Sequence, residues 1–202
     1  MKLIILGPPA SGKGTQAKLL VQKLNLKHIS TGDLIRNEIN NKTQIGLKLK
    51  SLTEKGALAP TDIITSLLKK YLPRDNYILD GYPRSEEQVK ILKTITDPDF
   101  IIDIEVPDNI LIGRITSRRT CPLCGAIYGL VIQPKKKGYC DNDSARLIQR
   151  KDDTEETAKT RLEVYKQQSA PVVKEYREKL IKVNGTPEPK IILVQILSKI
   201  QG

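Results

Sequence analysis

The chain has 202 residues, 34 Lys and Arg against 23 Asp and Glu, a formal charge of +11, and a single Phe with no Trp. That length suits one sizeable core with small insertions, since single domains commonly reach roughly 200 residues. So few aromatics argue against a stacking platform for single-stranded nucleic acid, and the basic excess does not argue for one, because a pocket that holds several phosphates also gathers arginines.

The first element is an apolar run over residues 2–6, which reads as a strand. Lys2 precedes only four strongly apolar residues before Gly7, too short for a signal core. No apolar span of about 18 residues follows, so a soluble cytoplasmic protein is expected, with neither membrane nor nucleic acid as partner. Directly after the strand come Gly7, Pro8, Pro9, Ala10, Ser11, Gly12, Lys13, Gly14 and Thr15. A strand followed by a glycine-rich turn with a lysine, opening a helix, is a phosphate cradle: backbone N–H groups point inward, Lys13 adds charge, and the helix directs its positive end at the anion. Gly14 stands where the pattern expects a hydroxyl, and Thr15 supplies it one residue later. Ala17, Leu20, Val21 and Leu24 fall on one helical face behind the turn. A nucleoside triphosphate is the expected ligand.

Residues 30–59 read as short helices, with Ile45, Leu49 and Leu52 at helical spacing, closed by Gly56 and Pro60. Ile64, Leu67, Leu68 and Tyr71 make the next helical face, after Thr61 and Asp62. A strand over 77–79 leaves Asp80 at its C-terminal edge, where α/β folds place ligands. Ser85 and Gln88 form a capping box. A strand over 100–106 precedes the second irregular stretch, 114–153, and a strand over 180–183 is followed by Thr186 and Pro187, which read as a helix start. Strands alternating with helices predict a parallel α/β sheet.

Within 114–153, Cys121 and Cys124 are followed after fifteen residues by Cys140, and Asp143 stands where a second C-x-x-C would place its last sulfur. This spacing suits a structural tetrahedral zinc site. A segment of about 40 residues cannot bury enough apolar surface alone, so a metal would substitute for a core. Redox chemistry is the competing reading, weakened because such a motif usually opens a helix. His28 reads as a local packing residue, and Lys135, Lys136 and Lys137 as a solvated tip. Asp152 and Asp153, beside Arg150 and Lys151, read as an ion network at a hinge.

Taken in order, Gly7 to Thr15, Ser30 to Arg36, Asp80 to Arg84, and Arg150 to Asp153 with Arg161 downstream resemble adenylate kinase over essentially the whole chain. The likeness is to the long form, with a zinc-type lid at Cys121, Cys124, Cys140 and Asp143. It implies a P-loop three-layer α/β fold: a core at 1–29, 60–113 and 154–202, a helical monophosphate-binding segment at 30–59, and a small zinc-ribbon-like β lid at 114–153. It also implies a monomer that transfers a phosphoryl group from magnesium ATP to AMP, giving two ADP. No general base is needed, because a phosphate acceptor is already ionised near neutral pH.

The resemblance further implies roles for single residues. Residues 7–15 would wrap the donor phosphates, and Lys13, Arg84, Arg118, Arg150 and Arg161 would bracket the transferring group. Arg114, Ile127, Tyr128 and Pro187 would flank the donor base. Thr31, Arg36, Ala57, Leu58, Ala59, Gly81, Arg84, Gln88, Arg150 and Arg161 would hold AMP. Thr15 and Asp80 would meet magnesium through water. A kinase for another nucleoside monophosphate, or a zinc-containing nucleic-acid-binding ATPase, are the alternatives that an acceptor panel and salt-sensitive binding would separate.

Overall fold

The computed structural model describes residues 1–201. At its centre β1 (Lys2–Leu6) runs between β3 (Tyr77–Asp80) and β4 (Phe100–Glu105), and β2 (Lys27–Ser30) and β7 (Leu180–Asn184) form the edges of a five-stranded sheet, all parallel. Leu3, Ile4, Ile5, Tyr77, Ile78 and Leu79 have no exposed surface. Such unbroken apolar runs are what a strand covered on both faces requires. The edge strand β2 is not among the expected strands, and its composition explains why: of Lys27, His28, Ile29 and Ser30 only Ile29 is buried.

Helices cover both faces. On one, α1 (Lys13–Leu24), α6 (Asp108–Ser117), α7 (Glu155–Val164) and α8 (Pro189–Gln201) contribute Ala17, Leu20, Leu111, Leu162, Ile192 and Ile196 to a single cluster with the strands. On the other, α4 (Thr61–Tyr71), α5 (Glu86–Ile95) and a 3-10 stretch, Ala170–Lys179, contribute Ile64, Leu68, Val89, Leu92, Val172 and Tyr176. No helix among the described residues is long and apolar enough to cross a membrane.

Two segments leave this body. The first holds α2 (Thr31–Asn40), capped by the Ser30 hydroxyl accepting from Asp33 N–H, and α3 (Gln44–Glu54), capped by Thr43. The two lie so close that a Cβ at Gly46 would stand 2.0 Å from the Glu38 carbonyl oxygen. The second, after α6, has only two short antiparallel strands, β5 (Arg119–Thr120) and β6 (Ile127–Tyr128), with isolated bridges from Thr120 to Ile148 and from Tyr139 to Arg146. Because α6 continues to Ser117, Arg114 rides on a helix of the body.

Two expected helix starts shift. The Ser85 hydroxyl does accept from Gln88 N–H, but the Gln88 carboxamide oxygen accepts from Arg84 N–H instead of returning to Ser85, so the box is displaced by one residue. The last helix begins at Pro189, not at Thr186 and Pro187. Pro189 disfavours helical geometry at Glu188, so a start one turn earlier could not continue. Thr186 instead donates its N–H and hydroxyl to Asn184 Oδ1.

Candidate active site

The turn between β1 and α1 is shaped by close approach. Gly7 has φ +135°, and a Cβ there would lie 2.5 Å from the Ile104 carbonyl oxygen, so no side chain fits. Gly12 caps α1 without a side-chain hydrogen bond, which leaves the first-turn N–H groups free for an anion. Lys13 folds back over the turn and donates to the carbonyls of Gly7 at 2.8 Å and Pro8 at 2.7 Å. Burial pulls its pKa down to about 7, against the opposing attraction of Asp80.

Above the turn opens a cavity of about 620 Å³. Residues Pro9 to Thr15 form its floor, and Arg36, Asp80, Arg84, Arg114, Arg118, Ile127, Tyr128, Arg150, Arg161 and Pro187 reach it from elsewhere in the chain. A second cavity of about 70 Å³ shares Pro9, Lys13, Arg84 and Arg161 with the first and adds Gly7, Leu58 and Gly81. Pro8, Thr31, Ala57, Ala59 and Gln88 line neither. The Thr31 hydroxyl donates to the Gly81 carbonyl at 2.9 Å, and Ala59 packs against the core below α4.

The arginines differ in what holds them. Arg118, almost fully buried, makes a two-pronged contact with the equally buried Asp153, its Nε at 2.9 Å from Oδ2. Arg161 donates to Asp152 at 2.8 Å. The expected hinge network of Asp152 and Asp153 therefore exists, but its partners are Arg118, at the C-terminal cap of α6, and Arg161, on α7; Arg150 and Lys151, adjacent in the chain, take no carboxylate among the described residues. Arg36 pairs with Asp33. Arg84 Nε donates to the Gly81 carbonyl at 2.6 Å. Arg114 donates to the carbonyls of Gly185 and Thr186, fixing the backbone beside Pro187. Of the arginines lining the cavity, only Arg150 has a side chain with neither a carboxylate nor a hydrogen-bond partner among the described residues, and desolvation together with Arg36 and Arg118 lowers its pKa.

The end of β3, the floor and the second segment meet at Gly14, where a Cβ would stand 3.5 Å from Asp80 Oδ2 and 4.0 Å from Ile127 Cδ1. His28, expected to be only a packing residue, lies with Nε2 3.4 Å from Asp80 Oδ2. Nothing local signals that pairing; it follows from β2 lying beside β3 with Ser30 opposite Asp80.

In the second segment Cys121, Cys124, Cys140 and Asp143 converge, their ligating atoms all within 4.8 Å of one another, and every cysteine is free of disulfides. Two like turns present them: Gly125 N–H donates to the Cys121 carbonyl and Ser144 N–H to the Cys140 carbonyl. The Tyr128 hydroxyl accepts from Asp141 N–H at 2.8 Å and lies 3.6 Å from Cys140 Sγ. Three sulfurs and one carboxylate in this compact arrangement fit a tetrahedral zinc ion.

A family model described as adenylate kinase matches residues 5–181. Among curated proteins, an adenylate kinase of Acholeplasma laidlawii is 42% identical, the match covering 97% of this chain and 96% of that one. One of Clostridium novyi is 41% identical over 100% and 99% of the two chains, and one of a Hydrogenobaculum species is 42% identical over 93% and 95%.

Proposed function

Because the chain belongs to the adenylate kinase family and so interconverts ATP and AMP with two ADP, we propose a division of that phosphoryl transfer among its residues. The donor phosphates rest on residues 7–15, with Lys13 released from the Gly7 and Pro8 carbonyls to take their charge. Arg84, Arg118, Arg150 and Arg161 enclose the transferring group, and their planar, permanently charged forks can each hold two phosphate oxygens. Since such transfer depends on positioning and charge stabilisation rather than covalent help, a ring of cations with no nucleophile is sufficient. The observation that carries this reading is the convergence of these four arginines and Lys13, from five separate segments, on one cavity above the phosphate turn.

Arg114, Ile127, Tyr128 and Pro187 frame the donor base. The grip of Arg114 on the Gly185 and Thr186 carbonyls supports this, because it fixes the loop that ends at Pro187. On the acceptor side Arg36 and Arg84 clamp the AMP phosphate, while Thr31, Gly81, Gln88 and the backbone of Ala57, Leu58 and Ala59 enclose its base. With the Gln88 carboxamide oxygen held by Arg84 N–H, its amino end is the one free to meet a base. Segments 30–59 and 114–153 close over acceptor and donor respectively, and closure keeps water from the activated phosphate.

Thr15 and Asp80 would hold magnesium through water, which when bound neutralises donor phosphate charge. Zinc on Cys121, Cys124, Cys140 and Asp143 would hold the lid in shape and take no part in the chemistry. Monomeric operation in the cytoplasm belongs to the same proposal; for the cytoplasm the support is three cysteines that converge on one cluster as thiols instead of pairing. The test is ADP formation from magnesium ATP with AMP, GMP, CMP and UMP in turn, alongside sedimentation and metal analysis. AMP should be preferred and about one zinc found per chain; equal turnover with all four acceptors would overturn the acceptor assignment.

A further inference from the structure

Lys18 lies on α1 just past the phosphate turn, half-buried at the rim of the large cavity, and has no carboxylate partner among the described residues. Its Nζ donates instead to two carbonyls of the lid, Gly125 at 2.7 Å and Cys124 at 3.3 Å. Those residues are 106 and 107 positions away in the chain and belong to the first cysteine turn. Neither carbonyl accepts a backbone hydrogen bond, so the ammonium is their partner. Gly125, at φ +66°, leaves room for it: a Cβ there would stand 3.4 Å from Nζ.

Charge favours the same contact. Three thiolates and a carboxylate around one divalent ion leave the turn net negative, and Lys18 brings the opposite charge to its backbone. No other side chain of α1 hydrogen-bonds to the lid. The adjoining contact, Ile127 Cδ1 over Gly14, is apolar and small.

We propose that Lys18 is a positioning residue for the donor nucleotide: it latches the cysteine turn onto α1, and so holds Ile127 and Tyr128 over the phosphate turn. The proposal rests on the reading that segment 114–153 covers the donor. It makes Lys18 specific to one substrate, because both of its hydrogen bonds go to segment 114–153 and neither to segment 30–59.

The test uses the full, metal-loaded chain with Lys18→Met and Lys18→Arg. Lys18→Met should raise KM for ATP about tenfold, the equivalent of one charge-assisted hydrogen bond, with KM for AMP changed less than about twofold and kcat not reduced. Lys18→Arg, which keeps a long cationic donor, should recover most of that rise, and the melting temperature should not change in either variant. An unchanged KM for ATP in Lys18→Met, a parallel rise in both KM values, a fall in kcat alone, or an arginine variant no better than methionine would each overturn the latch. The unsubstituted chain separates the two levels: failure to form ADP from ATP and AMP would remove the functional reading itself, whereas normal turnover with an insensitive KM in Lys18→Met would remove only the latch.

Discussion

The helical segment 30–59 and the cysteine-bearing segment 114–153 are proposed for the same task on opposite sides of the cavity, yet they are held together by different physics. The first is organised by periodic apolar residues, with Leu49 fully buried, Gly46 set against the Glu38 backbone, and Leu34 and Ile35 packed on the core of the body. The second has a core of only Cys121, Tyr128 and Cys140, bordered by Ala126, Ile132, Ala145 and Leu147, while Leu123, Leu130 and Val131 face solvent. A segment with so little apolar burial needs a cross-link, and with its three cysteines free of disulfides and gathered in one cluster, a metal would serve. The lesson is that a mobile cover can be made rigid either by its own packing or by an ion, and that each leaves it vulnerable to a different insult.

Lys13→Met sets the scale, because Lys13 lines both cavities. Turnover should fall by on the order of 10²–10³ or more, the loss seen when a preorganised donor to transition-state charge is removed, with no change in melting temperature. A kcat within tenfold of the parent would contradict the assignment.

Chelation should act on one segment alone. Stripping the metal is expected to lower the melting temperature by roughly 5 °C or more and to raise KM for ATP well above KM for AMP. If both constants moved together, the cysteine turns would not be specific to the donor side.

Leu49→Ala is the mirror experiment. Emptying a fully buried leucine position costs about 2–5 kcal/mol when the site cannot collapse, and here the loss should appear in KM for AMP, read by initial rates at saturating ATP. Together, the two perturbations form a crossed pair that would fail if the segments were not functionally distinct.

The smallest effect concerns protons. Lys13 has a pKa of about 7 in the free protein, lowered from its usual value by burial, and donor phosphates favour its charged form. Binding of ATP should therefore take up a fraction of a proton that grows as the pH rises through about 7, measurable by calorimetry in buffers of different ionisation enthalpy. Uptake that fell with rising pH would have the wrong sign for this lysine, and Lys13→Met should abolish it.

Much of this was legible from the chain. The apolar runs of β1, β3 and β4 are buried on both sides and left a clear signature, as did the helical spacing of Leu49 and of Ile64 to Leu68. The glycine turn and the cysteine spacing are local, so the phosphate cradle and the metal cluster could be read directly. Strand β2 could not, since an edge strand with one buried residue carries no apolar run. Nor could the partners of Asp152 and Asp153: sequence neighbours suggested Arg150 and Lys151, but ion pairs between elements are decided by which helices the sheet juxtaposes. The same holds for Lys18 and for His28, whose contacts lie 107 and 52 residues away in the chain.

The proposal gives Asp152 and Asp153 a bearing on how the reaction ends as well as how it begins. Arg118 and Arg161 are already satisfied by carboxylates; if they hold phosphate as proposed, an incoming nucleotide would gain only the difference between two counterions, and a departing ADP would leave the guanidinium groups with a resident replacement. On that reading grip would be traded for release, and the trade would act alike in both directions because substrates and products carry the same total charge.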